Sequence, residues 1–318
     1  MKTTVVIPNY NGKNFLENCL NSATKSTVCA SIIVVDNGSD DGSLELLAEE
    51  FPQVKVISFP ENRGFCSAVN AGIEAAKTPY VFLLNNDTTI EPDCIERLEQ
   101  AMERDGRIFS VGAKMLSMHN PEILDGAGDL YSAFGWAYAI GKGKPAARYA
   151  KPMKVFSNSA GAALYRKDML EKTGFFDENH FAYLEDVDIG YRGRIEGFWN
   201  VTEPSAIVYH AGSGSTGSRY NAFKVRHSAR NNVYLIYKNM PFFQLVLNLP
   251  FLIAGFLIKQ LFFIKKGFGG LYFQSLAEGI RLCMSEEGRR RKVRFSWKNL
   301  PYYLRIQLEL WANLFRRL

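Results

Sequence analysis

Along the first hundred residues, short apolar runs rich in β-branched side chains alternate with longer segments whose apolar positions fall three and four apart. The runs Thr3–Ile7, Ser31–Asp36, Val54–Phe59 and Tyr80–Leu84 read as strands. Between them, Lys13–Thr24, Ser43–Glu50 and Gly64–Ala76 carry the spacing of amphipathic helices. This rhythm predicts an α/β fold whose mainly parallel sheet is covered on both faces. Residues 106–155, rich in Gly, Ala and Tyr with weak periodicity, read as long loops with short strands; Asp125-Gly126-Ala127-Gly128-Asp129 is an example. Further on, a strand ending near Tyr165, a helix over Lys167–Lys172 and another over Glu185–Glu196 are expected. The run from Phe242 to Ile264 is strongly apolar but contains Gln244, Asn248, Pro250, Lys259 and Gln260. It therefore reads as interfacial or re-entrant helices rather than a clean span. The expected division is a catalytic unit over 1–235 and a helical membrane-associating region over 236–318.

Charge sharpens this division. The chain of 318 residues has a net charge of +6, but residues 1–220 hold 21 basic against 28 acidic side chains, a net of −7. The last 98 hold 17 against 4, a net of +13, with aromatic residues interleaved up to Arg316-Arg317. Basic and aromatic residues beside an apolar run suit an anionic membrane surface. The acidic first part argues against a nucleic-acid groove there, and no nucleic-acid partner is expected. Five cysteines without a C-x-x-C pair indicate neither a zinc site nor a disulfide framework. The short apolar run at Val5-Val6-Ile7, closed by Pro8, leaves no room for a signal-peptide core. The expected location is the cytoplasmic face of the inner membrane.

Ligands of such sheets bind beyond the carboxyl ends of the strands. The segments there are Pro8-Asn9-Tyr10-Asn11-Gly12, Asp36-Asn37-Gly38-Ser39-Asp40-Asp41, Asn62-Arg63-Gly64 and Asn85-Asn86-Asp87-Thr88. Asp36, with Asp40 behind it, can accept hydrogen bonds from a base or ribose, whereas Asp41 suits a helix cap. Arg63 can meet phosphate. Asp87 can hold Mg²⁺ or Mn²⁺, and His210, after another strand, can complete that site. In the acidic cluster Glu185, Asp186 and Asp188, Asp188 is expected to pair with Arg192 one turn on. That leaves Asp186 as the better general base, with Glu185 beside it.

The stretches Val5 to Gly12, Val34 to Ser43, Glu61 to Phe65, Leu83 to Thr88, Gly174 to Arg192 and Arg230-Asn231-Asn232 together resemble family 2 glycosyltransferases of the GT-A fold, particularly bacterial rhamnosyltransferase-type enzymes. The resemblance implies inverting transfer of a sugar from a nucleotide-sugar donor to a glycan or lipid-linked glycan acceptor, rhamnose from dTDP-rhamnose being the leading donor. It also implies a donor site of Pro8, Tyr10, Asn11, Asp36, Asn37, Asp40, Arg63, Gly64 and Asn86, a metal on Asp87 with His210 near the diphosphate, and Asp186 as base. Asn85-Asn86-Asp87 keeps only the last acid of the family's Asp-x-Asp pattern. Two rivals are a dehydrogenase, opposed by the absence of a G-x-G-x-x-G turn after the first strand, and a non-catalytic sugar- or nucleic-acid-binding protein on the same fold.

Overall fold

The computed structural model describes residues 1–212 and 220–316, so Arg317 of the final basic pair lies outside the described residues. The first part runs β1 (Thr3–Asn9), α1 (Lys13–Thr24), β2 (Ser31–Asp36), α2 (Ser43–Glu50), β3 (Lys55–Ser58), α3 (Phe65–Ala75), β4 (Tyr80–Leu84), β5 (Thr88–Ile90) and α4 (Cys94–Glu103). The middle holds β6 (Ile108–Ser117), β7 (Leu124–Gly126), β8 (Asp129–Tyr131), β9 (Ala137–Ala139), β10 (Lys154–Val155), β11 (Ala162–Arg166), α5 (Lys167–Thr173), α6 (Glu185–Ile195) and β12 (Trp199–His210). Helices close the chain: α7 (Ala222–Asn239), α8 (Phe242–Lys265), α9 (Gly269–Met284), α10 (Glu286–Arg290) and α11 (Leu300–Phe315).

The main sheet has the order β10-β12-β6-β11-β4-β1-β2-β3, with β5 added on β12 and β7 on β6. From β3 to β4 it is parallel; β11 lies antiparallel between β4 and β6, and β6 runs parallel to β12. It is a mixed, mostly parallel α/β sheet. Successive side chains of a strand point to opposite faces, and each face here has its own core. Val5, Ile7, Phe82 and Leu84 pack with Leu16, Leu20 and Leu98 on one side. Val6, Val35 and Leu83 pack with Val69 and Ile73 on the other. The absence of polar alternation in β1 and β4 is the sequence trace of this double burial.

Two readings of the sequence need correction. Part of the presumed loop region is β6, a ten-residue strand in the middle of the sheet. Its Ser110 and Gly112 disguise it. Ser110 Oγ is buried and donates to Asn200 Oδ1 at 2.7 Å, while a Cβ on Gly112 would lie 2.2 Å from Asn158 Oδ1. The rest of that region does consist of short strands and turns. Second, the apolar run is not interrupted: α8 is one helix of 24 residues with Pro250 inside it. Gln244 and Asn248 are one helical turn apart and both buried. Gln244 Nε2 donates to the Tyr303 carbonyl at 3.0 Å, and Asn248 and Gln307 exchange hydrogen bonds at 2.8 and 2.9 Å. These polar residues bind α11; they do not break α8.

The helical region shares a core with the sheet domain. Tyr131, Phe156 and Tyr191 pack with Leu235, Leu252, Tyr303, Ile306 and Leu310. Asn313 Nδ2 donates to the Tyr131 carbonyl at 2.9 Å, and Tyr138 donates its phenol to the Asn313 carbonyl at 2.6 Å.

Candidate active site

At the carboxyl end of β1 a buried amide, Asn9, ties three loops together. Its Nδ2 donates to Asp36 Oδ2 at 3.0 Å, and its Oδ1 accepts from Asn86 Nδ2 at 2.7 Å. Asp36 is fully buried behind this amide and also accepts the Ser39 amide at 3.0 Å. Asn37 continues the network, donating to Asn62 Oδ1 and accepting the Arg63 amide. A Cβ at Gly12 would come 1.9 Å from Asn86 Nδ2 and 2.7 Å from Asn9 Oδ1, so any side chain there would displace this amide pair. Asp41 caps α2 through Ser43, as its turn chemistry suggests.

Opposite this edge, the turn before α6 places three non-glycine residues at positive φ: Phe181, Tyr183 and Leu184. Such backbone is strained and persists only where its surroundings impose it. Here the clamp is α7. Asn231 Nδ2 lies within hydrogen-bond reach of the carbonyls of His180, Ala182 and Tyr183 at 2.7–2.8 Å, and Arg230 donates to those of Asn179 and His180. Arg230-Asn231, noticed in the sequence without a role, therefore fix the start of the acidic helix.

Between these edges lies a cavity of about 830 Å³. Of the residues expected in the site, Pro8, Tyr10, Asn37, Asn86, Asp87, Glu185 and Asp186 line it. Asp36 stands one side chain behind it. Asn11, Asp40, Arg63 and Gly64 are not in its wall: Asn11 accepts the amide of exposed Asp40 at 2.9 Å, and the exposed Arg63 guanidinium lies 4.9 Å from the Phe59 ring centre. Gly64, with φ of +88°, faces Phe181, leaving no space for a Cβ.

Sheet register brings Asp87 and His210 together. β5 follows Asp87 directly and pairs with the end of β12, Thr88 opposite His210. The His210 Nε2 is 3.4 Å from Asp87 Oδ1, while Nδ1 is 2.8 Å from Asp125 Oδ2, and Lys142 Nζ sits 2.7 Å from the other Asp125 oxygen. Burial disfavours the charged imidazole, but the hydrogen bonds its N–H groups donate to Asp125 and Asp87 outweigh it and hold the ring's pKa up at about 9. Asp125 was missed in the sequence, as was Asp129. Both belong to the glycine-rich Asp125–Asp129 turn and line a smaller cavity of about 190 Å³ with His210, Lys142 and Asp186. Two acids in a five-residue glycine turn were the available signal.

The acids on α6 divide by environment. Asp188 pairs with Arg192 at 2.9 Å and with Lys238 at 2.8 Å, and accepts from Asn239. With Asp177 and His180 it forms a buried trio of metal-ligand type. The Lys238 ammonium, 2.6 Å from Asp177, already supplies the cation, so the trio is structural. Asp186 has no such partner. Burial raises its pKa to about 6, and Glu185 rises to about 8 through burial and the charge of Asp186. Burial and then Asp186 likewise push Asp129 well above the carboxylate range. Neighbouring carboxylates driven apart in this way separate a proton holder from a base.

Once its Nε2 proton is released, His210 joins Asp87 to offer one imidazole and one carboxylate, the ring's other nitrogen engaged by Asp125, a donor set that would suit Mn²⁺ or Mg²⁺ shared with phosphate oxygens.

Residues 4–174 match the family model described as Glycosyl transferase family 2. The chain is 27% identical over 259 residues to N-acetylglucosaminyl-diphospho-decaprenol L-rhamnosyltransferase of Mycobacterium tuberculosis, covering 73% of this chain and 83% of that protein. Among solved structures it is similar to GalNAc-T7 with UDP, GalNAc and Mn²⁺ (TM-score 0.61, 18% identity), over 75% of this chain and 48% of that one, so it spans about half that relative's length. It is also similar to a mannosyltransferase of Pyrobaculum calidifontis in complex with GDP-Man and Mn²⁺ (TM-score 0.54, 16% identity), over 97% of this chain and 86% of that one. With the family model covering more than half of its length, the chain belongs to glycosyltransferase family 2 and has the GT-A-type fold of that family's nucleotide-sugar transferases.

Proposed function

We propose that this glycosyltransferase moves a sugar from a nucleoside diphosphate donor onto a hydroxyl of a lipid-linked glycan, in one displacement that inverts the anomeric carbon. The observation that carries the reading is that Asp87 and Asp186 line one cavity with the ends of β1 and β2. The Asn9–Asp36–Asn37 edge binds the nucleoside. Asp186, poised near the working pH, takes the proton of the acceptor hydroxyl as its oxygen attacks. Glu185 stays protonated beside it. Asp87 and His210 would hold Mg²⁺ or Mn²⁺, which when bound would neutralise charge on the departing diphosphate. dTDP-rhamnose, the donor implied by the sequence resemblance, is the first to test, and an N-acetylglucosaminyl-diphospho lipid the first acceptor, because the mycobacterial relative is named an N-acetylglucosaminyl-diphospho-decaprenol L-rhamnosyltransferase. Incubating the protein and Mn²⁺ with a panel of nucleotide sugars, and following release of nucleoside diphosphate, tests this. Turnover of none of them rejects the reading.

The helical region is proposed to rest on an anionic membrane surface at the cytoplasmic side. Val246, Leu249, Ile253, Leu257, Leu261 and Ile264 form one exposed row along α8. Because the opposite side of α8 is packed on α11 through Gln244 and Asn248 and on Trp136 of the sheet domain through Gly255, the helix lies on the surface rather than crossing it.

A further inference from the structure

At the end of the sheet opposite the catalytic cleft, α11 and the start of β12 line a cavity of about 490 Å³. Its wall holds four cations, Lys154, Arg194, Arg305 and Arg316, against one carboxylate, Glu309. Glu309 is taken by Arg194. Among the described residues no carboxylate lies within ion-pair distance of Lys154, Arg305 or Arg316. Arg194 is nearly buried, and its Nε has no hydrogen-bond partner. So many like charges around one space repel each other and are stable together when an anion joins them.

Helical spacing says what the anion is attached to. Arg305, Glu309 and Ala312 form one row of α11, continued by its C-cap residue Arg316, all in the cavity wall. The adjoining row, Leu304, Leu308, Trp311 and Phe315, is apolar, and three of its members are 49–73% exposed. A basic row beside an apolar one is the arrangement of a helix lying at the headgroup level of a bilayer. The cavity is not part of the acceptor site. Trp199 at its wall begins the twelve-residue β12 and His210 ends it, a separation on the order of 30 Å.

We infer that this cavity binds the phosphate of an anionic phospholipid headgroup, with the apolar row of α11 entering the acyl boundary beside it. The inference rests on the membrane reading given above and adds a defined site to it. The test is co-flotation of the full chain with phosphatidylcholine vesicles with and without phosphatidylglycerol. Two double variants are compared: Arg305→Gln with Arg316→Gln inside the cavity, and Arg289→Gln with Arg290→Gln outside it. Unfolding temperature and donor turnover in solution should be unchanged in both. The cavity pair should lose roughly 20-fold in binding to anionic vesicles, and the outer pair several-fold less. Equal losses would make the attraction diffuse and overturn the site. Stabilisation of the wild type by soluble glycerol 3-phosphate as strongly as by vesicles would make it a small-anion site and overturn the lipid. Failure of the wild type to float with any vesicle would overturn the membrane reading itself, leaving the catalytic reading to the donor panel.

Discussion

At the residue scale, the distinction between Asp186 and Glu185 makes the sharpest claims. The pKa of Asp186 is raised, so its base form accumulates only above about pH 6. The rate of transfer at low substrate should therefore fall about tenfold for each unit below that value and level off above it. Asp186→Asn should lower turnover by about 10²–10⁴-fold while leaving nucleotide affinity in place, whereas Glu185→Gln, copying a group already protonated at neutral pH, should stay within roughly threefold. Parallel losses in the two variants would remove the division of roles. Asp125 makes a separate claim, because it holds His210 by Nδ1 and so directs Nε2 toward Asp87. Asp125→Asn should weaken Mn²⁺ binding, read by electron paramagnetic resonance, by about 10–100-fold. Unchanged Mn²⁺ affinity would refute that role. Asp87, Asp186 and His210 were legible in the sequence because each stands at an element end that the apolar pattern marks. Asp125 was not, since its meaning lies in a contact with a residue 85 positions away.

At the element scale, α6 is positioned by charge inside the protein. The cluster of Asp177, Asp188, Arg192 and Lys238 joins α6 to α7 with almost no exposure to water. Removing one partner of a buried network leaves the others desolvated and uncompensated. Lys238→Met should therefore cost about 3–5 kcal/mol in urea unfolding, and should slow transfer by displacing the start of α6. A cost below about 1 kcal/mol, as for an exposed pair, would mean that the network does not hold the helix. Of this cluster only the Asp188–Arg192 pair was readable, since it obeys one-turn spacing. Elements followed the same rule. β1 and β4 were legible from unbroken apolar runs, while β6 was hidden because small and polar side chains fill its central position. In α8 the same kind of residue misled in the other direction. Gln244 and Asn248 look like interruptions in a linear reading, yet they share one helical face and complete the contact with α11.

On the scale of the whole molecule, the sequence suggests a boundary near residue 235 because charge and hydropathy change there. Packing crosses that point. Tyr131, Phe156 and Tyr191 from the sheet domain are buried against Leu252, Tyr303 and Leu310, and Asn313 satisfies the backbone of β8 beside the cleft. β8 and β9 in turn bring Asp129 and Tyr138 to the cavity. The proposed membrane contact and the cavity wall therefore share one piece of structure, with α11 touching the β8–β9 hairpin on one flank and carrying the exposed apolar row on another. A chain ending after Asn239 would expose that joint core to water. Three large side chains left without partners cost a few kcal/mol each, and at about 2–4 °C per kcal/mol for a domain of this size the truncated protein should unfold on the order of 20 °C lower or fail to stay soluble. Differential scanning calorimetry of the two lengths decides the matter. An unchanged transition would mean that the sheet domain closes its core alone and that the helices are an appendage. A lowered one would mean that vesicle binding has to be probed by surface substitutions on the full chain, since loss of membrane binding on truncation would then report unfolding.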